Sequence, residues 1–430
     1  MLHITLPHNL VPRIFLFPMA IEAEIEVLEN NHTWTLTDLP KGKFAIDCKY
    51  VYKVKFNLDG TLERLKVRLV AKGYTQREEI DHVDTFSPVA KLVFVRFLLS
   101  IAAIKGWFLH HFDITNAFLN GELKEEIYMK KPPSYNKSTP HQVCKLLKSS
   151  YGLKQASRQW NYNLTSSLLD FGFKQSKSDY TLFTKHEADS YIAILIYVDD
   201  ILVASNSNKA ISTLRTFLNL KFKVRDLGCL RYFLGLEVAR SSKWIHLCQK
   251  KYVLDILSYS GMLGCKPLKI PLDQNFNISK EDSNPITDPS IFRRLIGRLL
   301  YLTITRPDIC FSVQVLSQFM DCPNDTHLAA AYRILRYLKA APGQGILLSS
   351  SSQLQLRTYC DSDWASCPDS RRSTIGYCIF LGDSLVSWKS KKQTVVSRSS
   401  VEAEYRVMVA TCLELTWLHY LLTDLGFHHP

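Results

Sequence analysis

Two adjacent aspartates, Asp199 and Asp200, interrupt an apolar run from Tyr191 to Ser205. Ile192-Ala193-Ile194-Leu195-Ile196 precedes them and Ile201-Leu202-Val203-Ala204 follows. Unpaired carboxylates are costly in such surroundings. Neighbours in a strand point to opposite faces, so the pair converges on one site only at a tight turn between two strands. A hairpin tip carrying both is expected, with a divalent cation to offset the charge. An ordinary solvent-exposed turn is the alternative, since Asp is common there, but this one lacks Gly and Asn and has apolar flanks. Carboxylate pairs that hold Mg²⁺ usually take a third oxygen ligand from elsewhere in the chain. Asp113 is the candidate, in Phe112-Asp113-Ile114-Thr115-Asn116-Ala117-Phe118 after the strand-like Trp107–Phe112. Together the three are the elements of a two-metal site for in-line nucleotidyl transfer. One ion would activate a primer 3′-hydroxyl; the other would steady a triphosphate and the leaving pyrophosphate.

Other elements must position these groups. Cys48–Phe56 alternates and is rich in β-branched and aromatic residues; residues 57–60 read as a turn, and Leu65–Ala71 as the returning strand of a basic hairpin. Lys91–Ile104 has the spacing of a buried helix. Glu22, Glu24, Glu26 and Glu29 give residues 1–30 an acidic helical pattern after three prolines. Pro267–Pro289 reads as a linker or surface loop, followed by helices at Pro289–Leu302, Ile309–Met320 and Thr326–Leu338. The last region has strand-like Leu354–Cys360, Ile375–Leu381 and Leu385–Lys389, then a long helix, Val401–Leu425: a βββα order. There is no internal repeat.

The 430 residues allow two to four domains at roughly 100–200 residues each. Hydrophobic residues at 46% and charged residues at 22% exclude a disordered, collagen-like or coiled-coil class. The net charge of +13 favours a polyanionic partner, nucleic acid or an acidic membrane surface. The 11 cysteines form no CxxC pair, which argues against zinc ribbons and reads as reduced intracellular thiols. No stretch has the roughly 18 apolar residues a membrane helix needs, and no signal peptide is evident. His110-His111 lacks partners at metal-binding spacing.

The chain resembles the reverse transcriptase region of copia-type LTR retrotransposon Pol polyproteins, most like those of plants. Asn31-His32-Thr33-Trp34, Lys66–Gly73, Thr85–Val89, Asp113–Leu119, Tyr151–Gln155, Tyr197–Asp200 and Tyr232–Glu237 carry the resemblance. It implies an α+β chain: a right-hand polymerase with fingers, palm and thumb, then a helical connection and a truncated RNase H-like βββα unit. The expected divisions are 1–30, 31–274, 275–345 and 346–430. By resemblance Asp113, Asp199 and Asp200 are the catalytic, metal-binding palm residues, with two Mg²⁺ or Mn²⁺ ions. Phe118 falls at the steric gate against a ribose 2′-hydroxyl. Lys66 and Arg68 would meet the incoming triphosphate. Gly152 and Gln155 lie in the segment covering the nascent base pair. Leu234 and Gly235 lie in the primer grip. Asp361 and Glu404 match RNase H carboxylates. The implied partners are an RNA template, a DNA primer or RNA/DNA hybrid, and dNTPs, with no membrane; the oligomeric state is left open. Localisation by resemblance is cytoplasmic, in virus-like particles, with the nucleus as the other compartment.

Some positions depart from the family. Glu79 stands where Gly is usual, and strains its turn if a positive φ is needed there. Ser150 replaces a Leu. The RNase H-like unit lacks the family's following strand and two further acids, so little or no nuclease activity is expected. Two other readings stand beside a working RNA-directed DNA polymerase. One is an inactive remnant that only binds nucleic acid. The other is a different two-metal enzyme, such as a nuclease or transposase, which the adjacent aspartate pair and Phe118 oppose.

Overall fold

The computed structural model describes residues 17–427, apart from 57–60, 134, 138, 140, 188, 274–277 and 280–282. The turn expected at 57–60, the proline-bearing first sixteen residues and part of the linker lie outside the described residues.

The run around the aspartates is apolar on both faces because both faces are covered. Strands Ser190–Tyr197 and Asp200–Ser205 pair in a hairpin at the centre of a six-stranded antiparallel sheet. Its order is Val224–Cys229, Phe108–Ile114, Asp200–Ser205, Ser190–Tyr197, Leu182–Glu187, Lys174–Gln175. Ile192, Ile194, Ile201 and Val203 meet Trp160 and Leu164 of helix Ala156–Asp170 and Leu214 and Leu218 of helix Asn208–Lys221. Ala193, Leu195, Leu202 and Ala204 meet helix Leu92–Ile104.

That helix is apolar nearly all round, the pattern of a helix enclosed on every side. Its far side packs on Tyr377, Ile379 and Val386 of the last region, so palm and last region share one core. Its single charge, Arg96, is buried there. Arg96 Nε donates to Val386 O (2.8 Å), Nη1 donates to Ile304 O (3.0 Å), and the guanidinium lies 4.0 Å from the Trp388 ring centre. Burial pulls its pKa down to about 9.

The basic hairpin is Cys48–Phe56 paired with Leu62–Ala71. Helix Phe17–Asn30 lies along the open edge of the second strand, where Glu24 Oε1 accepts from Leu69 N (3.1 Å). A second sheet, Trp34–Asp38, Gln142–Lys148, Glu122–Met129 and Ala45–Ile46, completes this lobe. Tyr232–Phe233 and Leu236–Arg240 form a short hairpin that continues through Trp244–Cys248 to Ile346–Ser349. The strand Ile346–Ser349, which sequence grouped with the last region, therefore completes the sheet begun by the Tyr232–Phe233 hairpin.

Helices Pro289–Leu302, Cys310–Ser317 and Asp325–Ala340 form the helical block, with Lys250–Tyr259 packed on it. The last region is a three-stranded meander, Leu356–Asp363, Thr374–Leu381 and Ser384–Lys392, followed by helix Ser400–Asp424. Among the described residues no helix is long and apolar enough to cross a membrane.

Candidate active site

Val198 and Asp199 form the two-residue turn of the central hairpin, and Asp200 is already the first strand residue, paired with Tyr197. Val198 adopts φ 58°, unusual for a β-branched residue. The conformation is pinned from behind: Trp160 Nε1, from a buried ring, donates to Val198 O (2.7 Å). On the adjacent strand Asp113 lies directly opposite Asp200, and Ile114 N donates to Asp199 O (2.9 Å). The backbone thus brings Asp113 beside the sequence-adjacent pair Asp199-Asp200 at one end of the sheet.

The basic hairpin faces them. Alternation places Lys49, Lys53, Lys55, Arg64, Lys66 and Arg68 on one face of it. Lys53 stands directly opposite Lys66, and Lys55 opposite Arg64, pairings of like charge that weaken a sheet unless something negative lies over them. A cavity of about 600 Å³ separates this face from the palm, lined by Lys55, Arg64, Lys66, Arg68, Asp113 and Asp199, with Glu24 on one wall.

The electrostatics follow from the enclosure. Burial pushes the Asp199 carboxyl up, and Asp200 and Asp113 push it further; Arg68 pulls the other way. Burial pulls the Lys66 ammonium down, and Arg68, Lys55 and Arg64 add to it. Carboxylates and cations are each short of counter-charge. Arg68 stacks on the Tyr151 ring (3.9 Å), whose edge meets Phe118 (centroids 5.5 Å). Gly152, at φ 88°, lets the backbone pass against the basic strand, where Ala71 N donates to Tyr151 O (2.8 Å).

The sequence-predicted residues are not all brought together. Asp113, Asp199, Lys66 and Arg68 share the cleft. Asp200 is turned aside: its Oδ1 lies 2.8 Å from His111 Nε2. The sequence assigned His111 no role, yet it touches a key carboxylate. Its place two residues before Asp113, on the same strand face, was the available signal. The oxygen donors suit a hard divalent cation, although among the described residues no three His, Cys, Asp or Glu side chains stand close enough to hold one.

Gln155 is a correction: it is fully buried, receives Gln76 Nε2 (3.1 Å) and donates to Asp81 O (3.0 Å), so it braces the loop and does not reach a nucleotide. Phe118 is half-buried between two cores, behind Tyr151. Leu234 and Gly235 do form the turn of a hairpin, at φ 50° and 79°. Glu79 sits at φ 66°, the strained turn expected of it.

Asp361 and Glu404 need correction too. Glu404 Oε1 accepts from Ser362 N (3.2 Å), and the Ser362 hydroxyl, on the helix side, receives Gln393 Nε2 (3.4 Å). Strand alternation turns the neighbouring Asp361 to the other face, where it lines a cavity with Cys310 and Trp388. The two carboxylates flank the sheet and do not share a site.

A palm-like sheet with acidic residues at one end, faced by a basic hairpin and followed by a helical block, is the layout of the right-hand polymerase fold. The chain belongs to the reverse transcriptase (RNA-dependent DNA polymerase) family, which it matches over residues 31–274. It is 43% identical over 409 residues to the retrovirus-related Pol polyprotein from transposon RE1 of Arabidopsis thaliana, covering 95% of this chain and 28% of that protein. It is 37% identical over 422 residues to that from transposon TNT 1-94 of Nicotiana tabacum, covering 95% of this chain and 32% of that one. The chain therefore spans about a third or less of these relatives. Among solved structures it is similar to the foamy viral protease-reverse transcriptase in complex with RNA/DNA hybrid (TM-score 0.52, 12% identity, 93% of this chain, 46% of that chain). Its similarity to the dRH form of that protein in complex with double-stranded DNA gives a TM-score of 0.51 at 11% identity, over 93% of this chain and 60% of that one. At these identities the likeness is one of fold.

Proposed function

We propose that the chain is an RNA-directed DNA polymerase that adds dNTPs to a DNA primer on an RNA template. One observation carries the reading: Asp113 and Asp199 face Lys66 and Arg68 across a single cleft. Lys66 and Arg68 take the triphosphate oxygens, and that anion relieves the like-charge pairs on their hairpin face. Tyr151 holds the Arg68 guanidinium in place by stacking. Phe118, braced by Tyr151, limits room beside the sugar and so favours dNTPs. The Leu234-Gly235 turn carries the primer end. The primer 3′-hydroxyl gives up its proton to solvent as its oxygen bonds the α-phosphorus, the bond from that phosphorus to the α–β bridging oxygen breaks, and pyrophosphate leaves with the electron pair. Two divalent ions, Mg²⁺ or Mn²⁺, held by Asp113, Asp199 and Asp200, would supply the charge that stabilises attacking and leaving oxygens. RNA cleavage is not expected, because Asp361 and Glu404 lie on different sides of their sheet.

A second reading has its own support: Asp200 is bound to His111 and turned from the cleft. If that bond persists, the chain holds nucleic acid without extending a primer. Primer extension on an RNA template with dNTPs and Mg²⁺, comparing wild type with Asp199→Asn, separates the two. Extension by wild type alone is expected. Salt-sensitive binding without extension by folded wild type would establish the inactive binder.

A further inference from the structure

The turn Leu234-Gly235 has a conformation its own sequence does not favour. Both residues are left-handed, φ 50° and 79°, the geometry of a two-residue hairpin turn that prefers Asn-Gly. A leucine in that region meets its own carbonyl and needs an external hold. The hold comes from another region. Tyr301, in the last turn of helix Pro289–Leu302, donates its hydroxyl to Leu234 O at 2.7 Å. A Cβ on Gly235 would overlap that same hydroxyl, so the turn and the phenol are fitted to each other. The Tyr301 ring is fixed in turn by the edge of Tyr252, with centroids 5.1 Å apart. Burial and the neighbouring Tyr197 keep the phenol protonated and able to donate.

The turn is also linked to the carboxylates. Phe233, beside Leu234, meets the His111 ring edge-on at 5.4 Å, and His111 Nε2 lies 2.8 Å from Asp200 Oδ1. One continuous path of contacts runs from the helical block through the turn to the palm.

We propose that Tyr301 is a positioning residue for the primer 3′ end: it sets the Leu234-Gly235 turn against the palm, so that the helical block fixes where the terminal hydroxyl lies. This rests on the reading of that turn as the primer-bearing element. Tyr301→Phe removes only the hydroxyl and keeps the packing. Single-turnover incorporation at saturating dNTP is expected to fall about five- to tenfold, the worth of one hydrogen bond, with dNTP and primer–template affinities unchanged. A wild-type rate in the variant overturns the proposal. So does a loss shared equally by rate, affinity and thermal stability, which marks a merely structural role.

A duplex carrying 2-aminopurine at the primer terminus makes the test independent of turnover. Altered fluorescence in the variant at unchanged duplex affinity supports the proposal even if wild type incorporates nothing, an outcome that defeats only the polymerase reading. Identical fluorescence overturns it, as does absence of duplex binding by wild type.

Discussion

Replacing Gly152 by alanine tests whether the Tyr151–Gln155 loop is built around a close backbone crossing. Two penalties add. Gly152 sits at φ 88°, where an L-residue costs about 1–2 kcal/mol. The new Cβ would also overlap the Ala71 carbonyl oxygen and lie 2.6 Å from Val70 Cγ1. Ordinary carbon contacts are about 3.5–4.0 Å, so strand and loop must part by roughly 1 Å. Overpacking of this kind costs about 1–3 kcal/mol, giving roughly 2–5 kcal/mol in all. The strain falls on one crossing, and separating loop from strand is the cheapest relief. That movement breaks the bond from Ala71 N to Tyr151 O and takes the Tyr151 ring from under Arg68. A hydrogen bond to a charged group is worth about 1.5–3 kcal/mol, so the KM for dNTP should rise roughly ten- to a hundredfold, with a smaller change in kcat. Steady-state primer extension read beside thermal unfolding checks both halves. A Gly152→Ala chain with wild-type melting and wild-type KM would refute the close-crossing argument.

Asp199 gives a prediction with a definite sign. Its carboxyl is pushed up in the folded chain by burial, Asp200 and Asp113, so the folded state binds that proton more tightly than the unfolded state does. Stability is therefore lost as pH rises from the ordinary carboxylate range through the raised value, and the deficit is complete above it. Near neutral pH without divalent ions, Asp199→Asn should melt higher than wild type while losing extension, and Mg²⁺ should raise the melting temperature of wild type more than that of the variant. Equal melting in EDTA would show that no such penalty exists. For Phe118, whose ring is braced edge-on by Tyr151, Phe118→Val should lower discrimination against rNTPs by roughly tenfold or more, read as the ratio of incorporation rates. An unchanged ratio would leave the ring a core-filling role only.

Much of the fold could be read in the sequence where the signal is local. The interrupted apolar run gave the central hairpin, the alternating basic segments the finger hairpin, and the all-apolar spacing the buried helix. The strained turn at Glu79 was signalled only through the resemblance, in which Gly is usual at that position. Failures came where a side chain's direction depends on tertiary placement. Gln155 lies in a recognisable motif, yet a polar residue there can face a cleft or brace a loop, and only the partners Gln76 and Asp81 decide it. Asp361 and Glu404 occupy the expected strand and helix, but Asp361 takes the face opposite Ser362. The strand position of His111 hints at its face, but its cross-strand register with Leu202, and hence its reach to Asp200, is a long-range fact. Arg96, buried and hydrogen-bonded among the described residues to backbone carbonyls, gave no sequence signal beyond being a charge in an apolar helix.

The costs in this structure gather around the cleft, and they are met in a consistent way. Two turns bear on the cleft, one carrying Asp199 and the other proposed to hold a primer. Each sets an aliphatic residue at positive φ, Val198 at 58° and Leu234 at 50°, where glycine or asparagine would sit more easily. Each has the carbonyl of that residue held by an aromatic donor from a neighbouring helix, Trp160 Nε1 for Val198 and the Tyr301 hydroxyl for Leu234, both at 2.7 Å. Glycine or asparagine would relax each turn but leave it free to sample other conformations. An aliphatic residue whose carbonyl is pinned from a neighbouring helix exchanges local ease for a fixed position. The proposed in-line transfer would demand that trade, because a primer oxygen and the carboxylates must hold their geometry while charge moves between them.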